Sequence, residues 1–331
     1  MNFTVIIATC GRPDRLAICL EALGDAIVAD GGGHEVVVVD NAADLGARGA
    51  VTEFARTAKY SVKYMVSDPR NKSRALNAGI AAAQNEWLAF TDDDTIPDHG
   101  WLREGAAYAE RGGCRVFGGR IEAPPPGIAP PRWLVPGKSC RVPAIGGAFV
   151  LYHPLPQSGM LRVQDPVPFG ANVFVRRDVF ADYGGYDDEL WVLCGKAALG
   201  VDDGEFGVRL KTAGEPIGYC HEALVLHPVH PERYSLWSHA KIGYYYGWRD
   251  PLVFFEPGRP PLELFHIRLL LKLTIRMTVS LMKNDLGGFA SDLVDVARTI
   301  GGLMGRLSGS YRTWTRLKSE GRRVPPCCCQ Y

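Results

Sequence analysis

Continuous apolar runs alternate with helical spacings over the first part of the chain. Phe3-Thr-Val-Ile-Ile-Ala8 is rich in β-branched residues and predicts a buried strand. Thr9-Cys-Gly-Arg-Pro-Asp14 breaks it. Asp14 can cap the helix that follows, on which Leu16, Leu20 and Leu23 keep helical spacing. Val36-Val-Val-Val39 predicts a second buried strand ending in Asp40-Asn41, and residues 62–66 a third. Residues 73–83 read as a helix. Trp87-Leu-Ala-Phe90 is then a short apolar run that leads into Asp92-Asp-Asp94. Strands without polar alternation, separated by helices, predict a mainly parallel sheet covered by helices on both faces. Asp40 and Asp92 both close such strands, so both are expected at the ligand crevice beyond the strand ends.

The texture changes near residue 116. A helix over 101–111 and a strand over 116–121 lead into residues 123–168. There Pro124, Pro131, Pro154, Pro156, Pro166 and Pro168, among others, leave little room for regular structure. A loop region of that length is either functional or a surface excursion. Order returns at Phe169-Gly-Ala-Asn-Val-Phe-Val175, followed by a helix near 177–183. Gly200-Val-Asp-Asp-Gly-Glu-Phe-Gly-Val-Arg-Leu210 predicts a helix with Asp202 and Asp203 at its N-terminal end, where anionic side chains are favoured. A strand over 216–226 ends at His227. The chain thus divides into 1–115, 116–230 and 231–331.

The last part is helical by its spacing. Residues 234–248 form an aromatic-rich helix. Residues 262–282 form a long apolar one with Arg268, Lys272 and Arg276 at four-residue steps. Those charges interrupt any apolar run long enough to span a bilayer. A cationic stripe on an apolar helix suits a membrane interface; the alternative is a helix packed on the protein with its stripe in water. Leu286, Phe289, Leu293, Val294, Ile300 and Leu303 mark a second amphipathic helix. Six basic residues and one acidic one between 306 and 323 would attract an anionic membrane surface.

Net charge is +1 over 331 residues, which gives no argument for a nucleic-acid partner. Cys10, Cys19, Cys114, Cys140, Cys194 and Cys220 are scattered, without the spacing of a zinc cage or a disulfide frame, and Cys327-Cys-Cys329 lies in a tail. No signal-peptide pattern precedes the first strand. A reducing cytoplasmic setting is expected, peripheral on the inner face of the cell membrane if the C-terminal helices dock there.

The chemistry concentrates at Asp92, Asp93 and Asp94. Like charges side by side raise one another's pKa, and burial adds to that. A bound divalent cation resolves the conflict, and carboxylate oxygens suit Mg2+ or Mn2+. The plain alternative is a solvated turn.

The ordered set of motifs resembles family 2 glycosyltransferases of the GT-A fold. Val5-Ile-Ile-Ala-Thr-Cys-Gly-Arg12 is similar to the opening strand and donor loop. Val37-Val-Val-Asp40 is similar to the strand whose aspartate contacts the nucleotide base. Residues 71–79 resemble the N-x-G segment, and Asp92-Asp-Asp94 the D-x-D motif. Gly170-Ala-Asn172 and Gly184-Gly-Tyr-Asp187 resemble the entry to the acceptor half. Asp202-Asp203 stands where Glu-Asp is usual, and His227 matches a histidine after the last core strand. The resemblance covers about residues 3 to 230. It implies a GT-A, Rossmann-like α/β fold with a mixed, mainly parallel sheet and here a C-terminal helical extension.

The resemblance also implies a function. One sugar moves from a nucleotide diphosphate sugar to an acceptor hydroxyl, on a glycan or a lipid-linked saccharide, with inversion. Asp203, beside Asp202, would be the base. Thr9, Arg12, Asp40, Arg74, Asn77, Asp92, Asp93, Gly170 and Asn172 would face the donor. Asp94, Asp92 and His227 would hold Mg2+ or Mn2+. The Q-x-x-R-W signature of processive synthases is absent. Bland roles stand beside these: helix capping for Asp202 and Asp203, turn shaping for Gly170 and Asn172, and a surface position for Arg74. His227 as an ordinary strand-end residue is another, with His221 and His230 as competing ligands. A sugar nucleotidyltransferase, a metal-dependent phosphatase and a non-catalytic carbohydrate-binding module are the alternative functions.

Overall fold

Strand β1 (Phe3–Thr9) is buried along all seven residues, because helices cover both of its faces. Phe3, Val5 and Ile7 pack in one core with Leu16, Leu20 and Leu23 of α1 (Pro13–Ala29). Ile6 and Ala8 pack in a second core with Ala75 and Leu76 of α3 (Lys72–Ala82). A strand with two apolar neighbours cannot alternate polar and apolar residues, hence the unbroken run in the sequence. Val36 to Val39 on β2 (Glu35–Asp40) divide between the same two cores in the same way.

The structure is a computed structural model. It describes residues 1–31, 33–42, 46–58, 60–68, 70–124, 131–134, 149–253 and 263–319. Cys140, Cys327-Cys-Cys329, part of the proline-rich stretch and the end of the basic tail lie outside these.

After β2 come α2 (Arg48–Thr57) and β3 (Ser61–Val66); after α3 comes β4 (Trp87–Asp92). β3, β2, β1 and β4 lie side by side and parallel. The sheet continues without a break past residue 115. β8 (Val173–Arg176) pairs antiparallel with β4, β6 (Val116–Glu122) antiparallel with β8, and β9 (Ile217–Leu226) parallel with β6. The short β5 (Ile96–Pro97) and β7 (Gly159–Met160) both pair with β9. Helices α4 (Trp101–Glu110), α5 (Asp178–Tyr183), α6 (Asp188–Cys194) and α7 (Val201–Thr212) complete this α/β body. Asn71 caps α3 by accepting from Arg74 N at 3.1 Å, and Asp187 caps α6 by accepting from Leu190 N at 2.8 Å.

Helices α8 (Leu236–Val253), α9 (Glu263–Met282), α10 (Leu286–Leu307) and α11 (Gly309–Ser319) follow. They pack on the α/β body. Leu252, Val253 and Trp314 share a core with Leu190 and Cys194 of α6 and Val201 of α7. The Trp314 indole donates to the Leu252 carbonyl at 2.9 Å. α8 and α10 touch main chain to main chain. A Cβ on Gly247 would strike the Arg298 carbonyl, one on Gly301 the Tyr244 carbonyl, and one on Gly305 the Trp248 carbonyl. Glycine is required at each of these crossings by close approach.

α9 packs on the protein along one side and leaves another side outward. Arg276 turns inward to Asp292 at 2.7 Å, while Arg268 and Lys272 are exposed. Beside them an apolar stripe also faces outward, with Ile267 52%, Leu271 61% and Ile275 64% exposed. No helix among the described residues is long and apolar enough to cross a membrane.

Gly301→Val is expected to cost about 3 kcal/mol by overpacking. Thermal unfolding checks this, with Gly309→Ala as control, since a Cβ there meets nothing within 4 Å.

Candidate active site

The end of β4 and the turn after it hold three carboxylates in three different environments. Asp93 is buried. It accepts from the Thr9 hydroxyl at 2.7 Å and pairs with Arg12 Nη2 at 2.5 Å. Burial pushes its pKa up to about 6 against the pull of Arg12. Asp94 takes Arg12 Nη1 on Oδ2 at 2.7 Å, with Arg15 at 3.4 Å from the same oxygen. Its Oδ1 stands 3.6 Å from His227 Nε2. Asp92 takes the Lys72 ammonium on Oδ1 at 2.6 Å. Burial opposes the ionised form of Asp92, but Lys72, His227 and Arg12 outweigh it and hold the pKa below the usual carboxylate range.

Asp92, Asp94 and His227 each offer one ligand atom, and these atoms lie within 4.8 Å of one another. Two carboxylates and an imidazole fit a hard divalent ion. His227 suits the set: burial lowers its pKa, which favours the neutral ring, and its Nδ1 has no hydrogen-bond partner among the described residues.

The second acid pair opens α7. The helix starts at Gly200 in the left-handed region, φ 62°. Asp202 is buried, and neither of its oxygens accepts a hydrogen bond among the described residues. Its counter-charge is Lys72, 3.6 Å from Oδ2. Asp203 instead lines a cavity of about 820 Å³, together with Lys72 and Asp92. Its carboxylate accepts from Gly170 N at 2.9 Å and Gly204 N at 2.8 Å. Burial and the Asp202 charge raise its pKa to about 7. Burial works against the charge on Lys72, yet Asp92, Asp202 and Asp203 hold its pKa well above the usual lysine range.

The structure therefore gathers Thr9, Arg12, Asp92, Asp93, Asp94, Gly170, Asp202, Asp203 and His227. Other expected donor residues carry scaffold contacts. Asp40 accepts from Ala42 N at 2.9 Å, Ala47 N at 3.3 Å and the Tyr64 hydroxyl at 2.8 Å, and so ties Ala42, Ala47 and β3 to the end of β2. Arg74 pairs with Asp188 at 2.7 Å and Asp68 at 2.6 Å. Asn77 clasps the main chain of Tyr186, donating to its carbonyl at 2.8 Å and accepting from its N–H at 2.9 Å. Asn172 is buried. Its amide donates to the carbonyls of Arg120 and Ala223 at 2.9 Å and accepts from the Trp101 indole at 2.8 Å. Asn77 and Asn172 thus serve as clasps between elements.

Lys72 and Arg15 were missed from sequence. Lys72 carries a readable signal: it is the first residue of α3, where a cation opposes the helix dipole unless acids lie nearby. The far wall of the cavity, with Tyr246 and Arg249 of α8 and Leu269 and Leu273 of α9, has no local signal at all.

The glycosyl transferase family 2 model matches residues 4–184, and the chain belongs to that family. It is 27% identical over 236 residues to succinoglycan biosynthesis protein ExoM of Rhizobium meliloti (strain 1021), covering 71% of this chain and 70% of ExoM. Its fold is similar to that of the mannosyltransferase PcManGT from Pyrobaculum calidifontis, solved in complex with GDP-Man and Mn2+. That likeness has a TM-score of 0.53 at 16% identity, over 96% of this chain and 84% of PcManGT. S. aureus TarS 1-349 gives a TM-score of 0.49 at 14% identity, over 98% and 93%. Family membership favours glycosyl transfer over the other functions weighed from sequence.

The raised pKa of Asp203 makes a stability prediction. Between the ordinary aspartate value and about 7, the folded protein binds a proton that the unfolded chain has lost. Stability therefore falls as pH rises through that window. Asp203→Asn should melt several degrees above the wild type at pH 8, with the gap closing towards pH 4. Calorimetric melting across that range tests it.

Proposed function

We propose that the protein moves one sugar from a nucleotide diphosphate sugar to an acceptor hydroxyl with inversion, using Mg2+ or Mn2+ at Asp92, Asp94 and His227. The observation that carries this reading is one arrangement. Asp92 of the cation-binding set and Asp203 line a single cavity with Lys72 beside them, and Asp203 alone of its pair lines that cavity. The bound ion would supply Lewis-acid neutralisation of the departing diphosphate.

Thr9 and Arg12 hold Asp93 and Asp94 in place, and Arg12 adds positive charge beside the leaving group. Asp203 takes the proton of the acceptor hydroxyl as that oxygen attacks the face opposite the leaving group. This is the logic of the base in an inverting glycosidase, with the acceptor in place of water. Its pKa near 7 matches a base working near neutral pH. Asp202 stays behind it as a charge that raises that pKa. GDP-Man and Mn2+ in PcManGT support a nucleotide-sugar donor and a metal. The part of ExoM in succinoglycan biosynthesis supports a glycan or lipid-linked saccharide as acceptor.

The outward stripe of Ile267, Leu271 and Ile275, flanked by Arg268 and Lys272, supports peripheral docking of α9 on an anionic membrane surface.

Purified protein with Mn2+ or Mg2+ should release nucleoside diphosphate from one member of a nucleotide-sugar panel. EDTA and Asp94→Ala should abolish release. Asp203→Asn should lower kcat by about 10² to 10⁴, and kcat/KM of the wild type should fall as pH drops through about 7. Failure of every donor to bind by calorimetry with metal present would overturn the reading. Sedimentation with vesicles rich in phosphatidylglycerol tests the docking surface separately. Leu271→Glu combined with Lys272→Glu should leave the protein in the supernatant.

A further inference from the structure

The cavity that starts at Asp92, Lys72 and Asp203 ends on the C-terminal helices, outside the stretch that matches the family model. Its lining there is basic on one side and apolar on the other. Arg249 of α8 and Arg298 and Arg306 of α10 contribute charge, while Leu269 and Leu273 of α9 contribute an apolar wall. Among the described residues of the lining, six lysines and arginines stand against four aspartates.

Arg249, with Lys72, is a cation close enough to the proposed base to act on its charge. A Cβ built on Gly200 would lie 3.2 Å from Arg249 Nη1 and 3.3 Å from Asp203 Oδ1, so the guanidinium and the carboxylate flank the same glycine. The guanidinium carbon sits 4.2 Å from the centroid of the Tyr246 ring. Nη1 donates to the Leu199 carbonyl. Nε is buried and has no hydrogen-bond acceptor among the described residues. The nearest carboxylate outside α7, Asp250, is 4.0 Å away, and Arg298 already holds it through two nitrogens, at 2.7 and 3.1 Å. The Arg249 side chain is only 13% exposed. A guanidinium kept from water, stacked on a ring and short of an oxyanion is arranged to receive one.

We propose that this cavity is the acceptor site and that Arg249 binds an oxyanion of the acceptor, a phosphate or a carboxylate, beside the hydroxyl that Asp203 deprotonates. The inference rests on the transferase reading and names the acceptor class within it: an anionic saccharide. Two sources share that chemistry. A prenyl phosphate carrier would set its chain against Leu269 and Leu273; an acidic sugar would bring its own carboxylate.

The test uses the full chain, saturated with Mn2+ and with UDP or GDP, so that the donor site is filled. Inorganic phosphate, farnesyl phosphate and glucuronate are then titrated by calorimetry. At least one should bind, Arg249→Gln should weaken it at least tenfold, and Arg249→Lys should keep part of the affinity. Nucleotide affinity should be the same in all three proteins. Tighter farnesyl phosphate than inorganic phosphate would name a lipid carrier; tighter glucuronate would name an acidic sugar. The proposal is overturned if no anion binds once nucleotide is bound, if Arg249→Gln binds as well as wild type, or if nucleotide affinity falls with it. Should Arg249→Gln not fold, Arg249→Lys against wild type decides. If neither nucleotide binds, the transferase reading fails and the proposal falls with it; nucleotide binding without anion binding overturns the proposal alone.

Discussion

Five carboxylates crowd together where β4 ends and α7 begins, and the fold tolerates them because Lys72 and Arg12 are placed among them, with Arg15 beside Asp94. Lys72 stands between Asp92 and Asp202, and Arg12 spans Asp93 and Asp94. Removing either cation would leave buried acids facing one another, which is among the costliest arrangements a protein interior can hold. Much of the surrounding architecture serves to deliver those two side chains. Arg12 comes from the break after β1, next to the β4 strand end that carries the aspartates. Lys72 comes from the first turn of α3, where the Asn71 cap sets the start of the helix. Clasps from Asn77 and Arg209 then hold the loop over 183–187, which runs between α3 and α7.

The parts that were legible in sequence are those that leave a local mark in the spacing of residues. Unbroken apolar runs announced β1, β2 and β4, and the aspartates at the end of β4 and after it announced the acid cluster, whereas Asp40 at the end of β2 carries scaffold contacts. The pair at Asp202 and Asp203 stood out at a helix start, and His227 at a strand end. Asn77 and Asn172 show the limit of such reading. An asparagine facing a ligand and one clasping main chain have the same letter and the same neighbours; only the three-dimensional partners distinguish them. Arg249 lies further beyond reach, since its meaning comes from Gly200 and Asp203, which no spacing rule connects to it. The short helices α2 and α6 escaped for another reason: each is short, and α2 buries a single residue, Val51, so neither shows a repeating apolar stripe.

The C-terminal helices were read as either membrane-facing or packed on the protein, and the structure makes the two compatible. α9 is apolar on more than one side. Leu273 is buried and lines the cavity, while Ile267, Leu271 and Ile275 look outward. Between those two apolar sides runs the stripe of Arg268, Lys272 and Arg276, of which Arg276 pairs with Asp292.

The glycine contacts between α8 and α10 have a consequence for how such a cavity diverges between related enzymes. Where two helices touch through main chain at Gly247, Gly301 and Gly305, their separation is set by backbone atoms and not by the size of any side chain. The residues that fill the space, such as Arg249, Arg298 and Leu273, occupy other positions on these helices and on α9. Dimension and chemistry are thus written in separate letters. Substitution can retune what the chamber recognises while its walls keep their spacing, and a change of spacing needs a different set of mutations altogether.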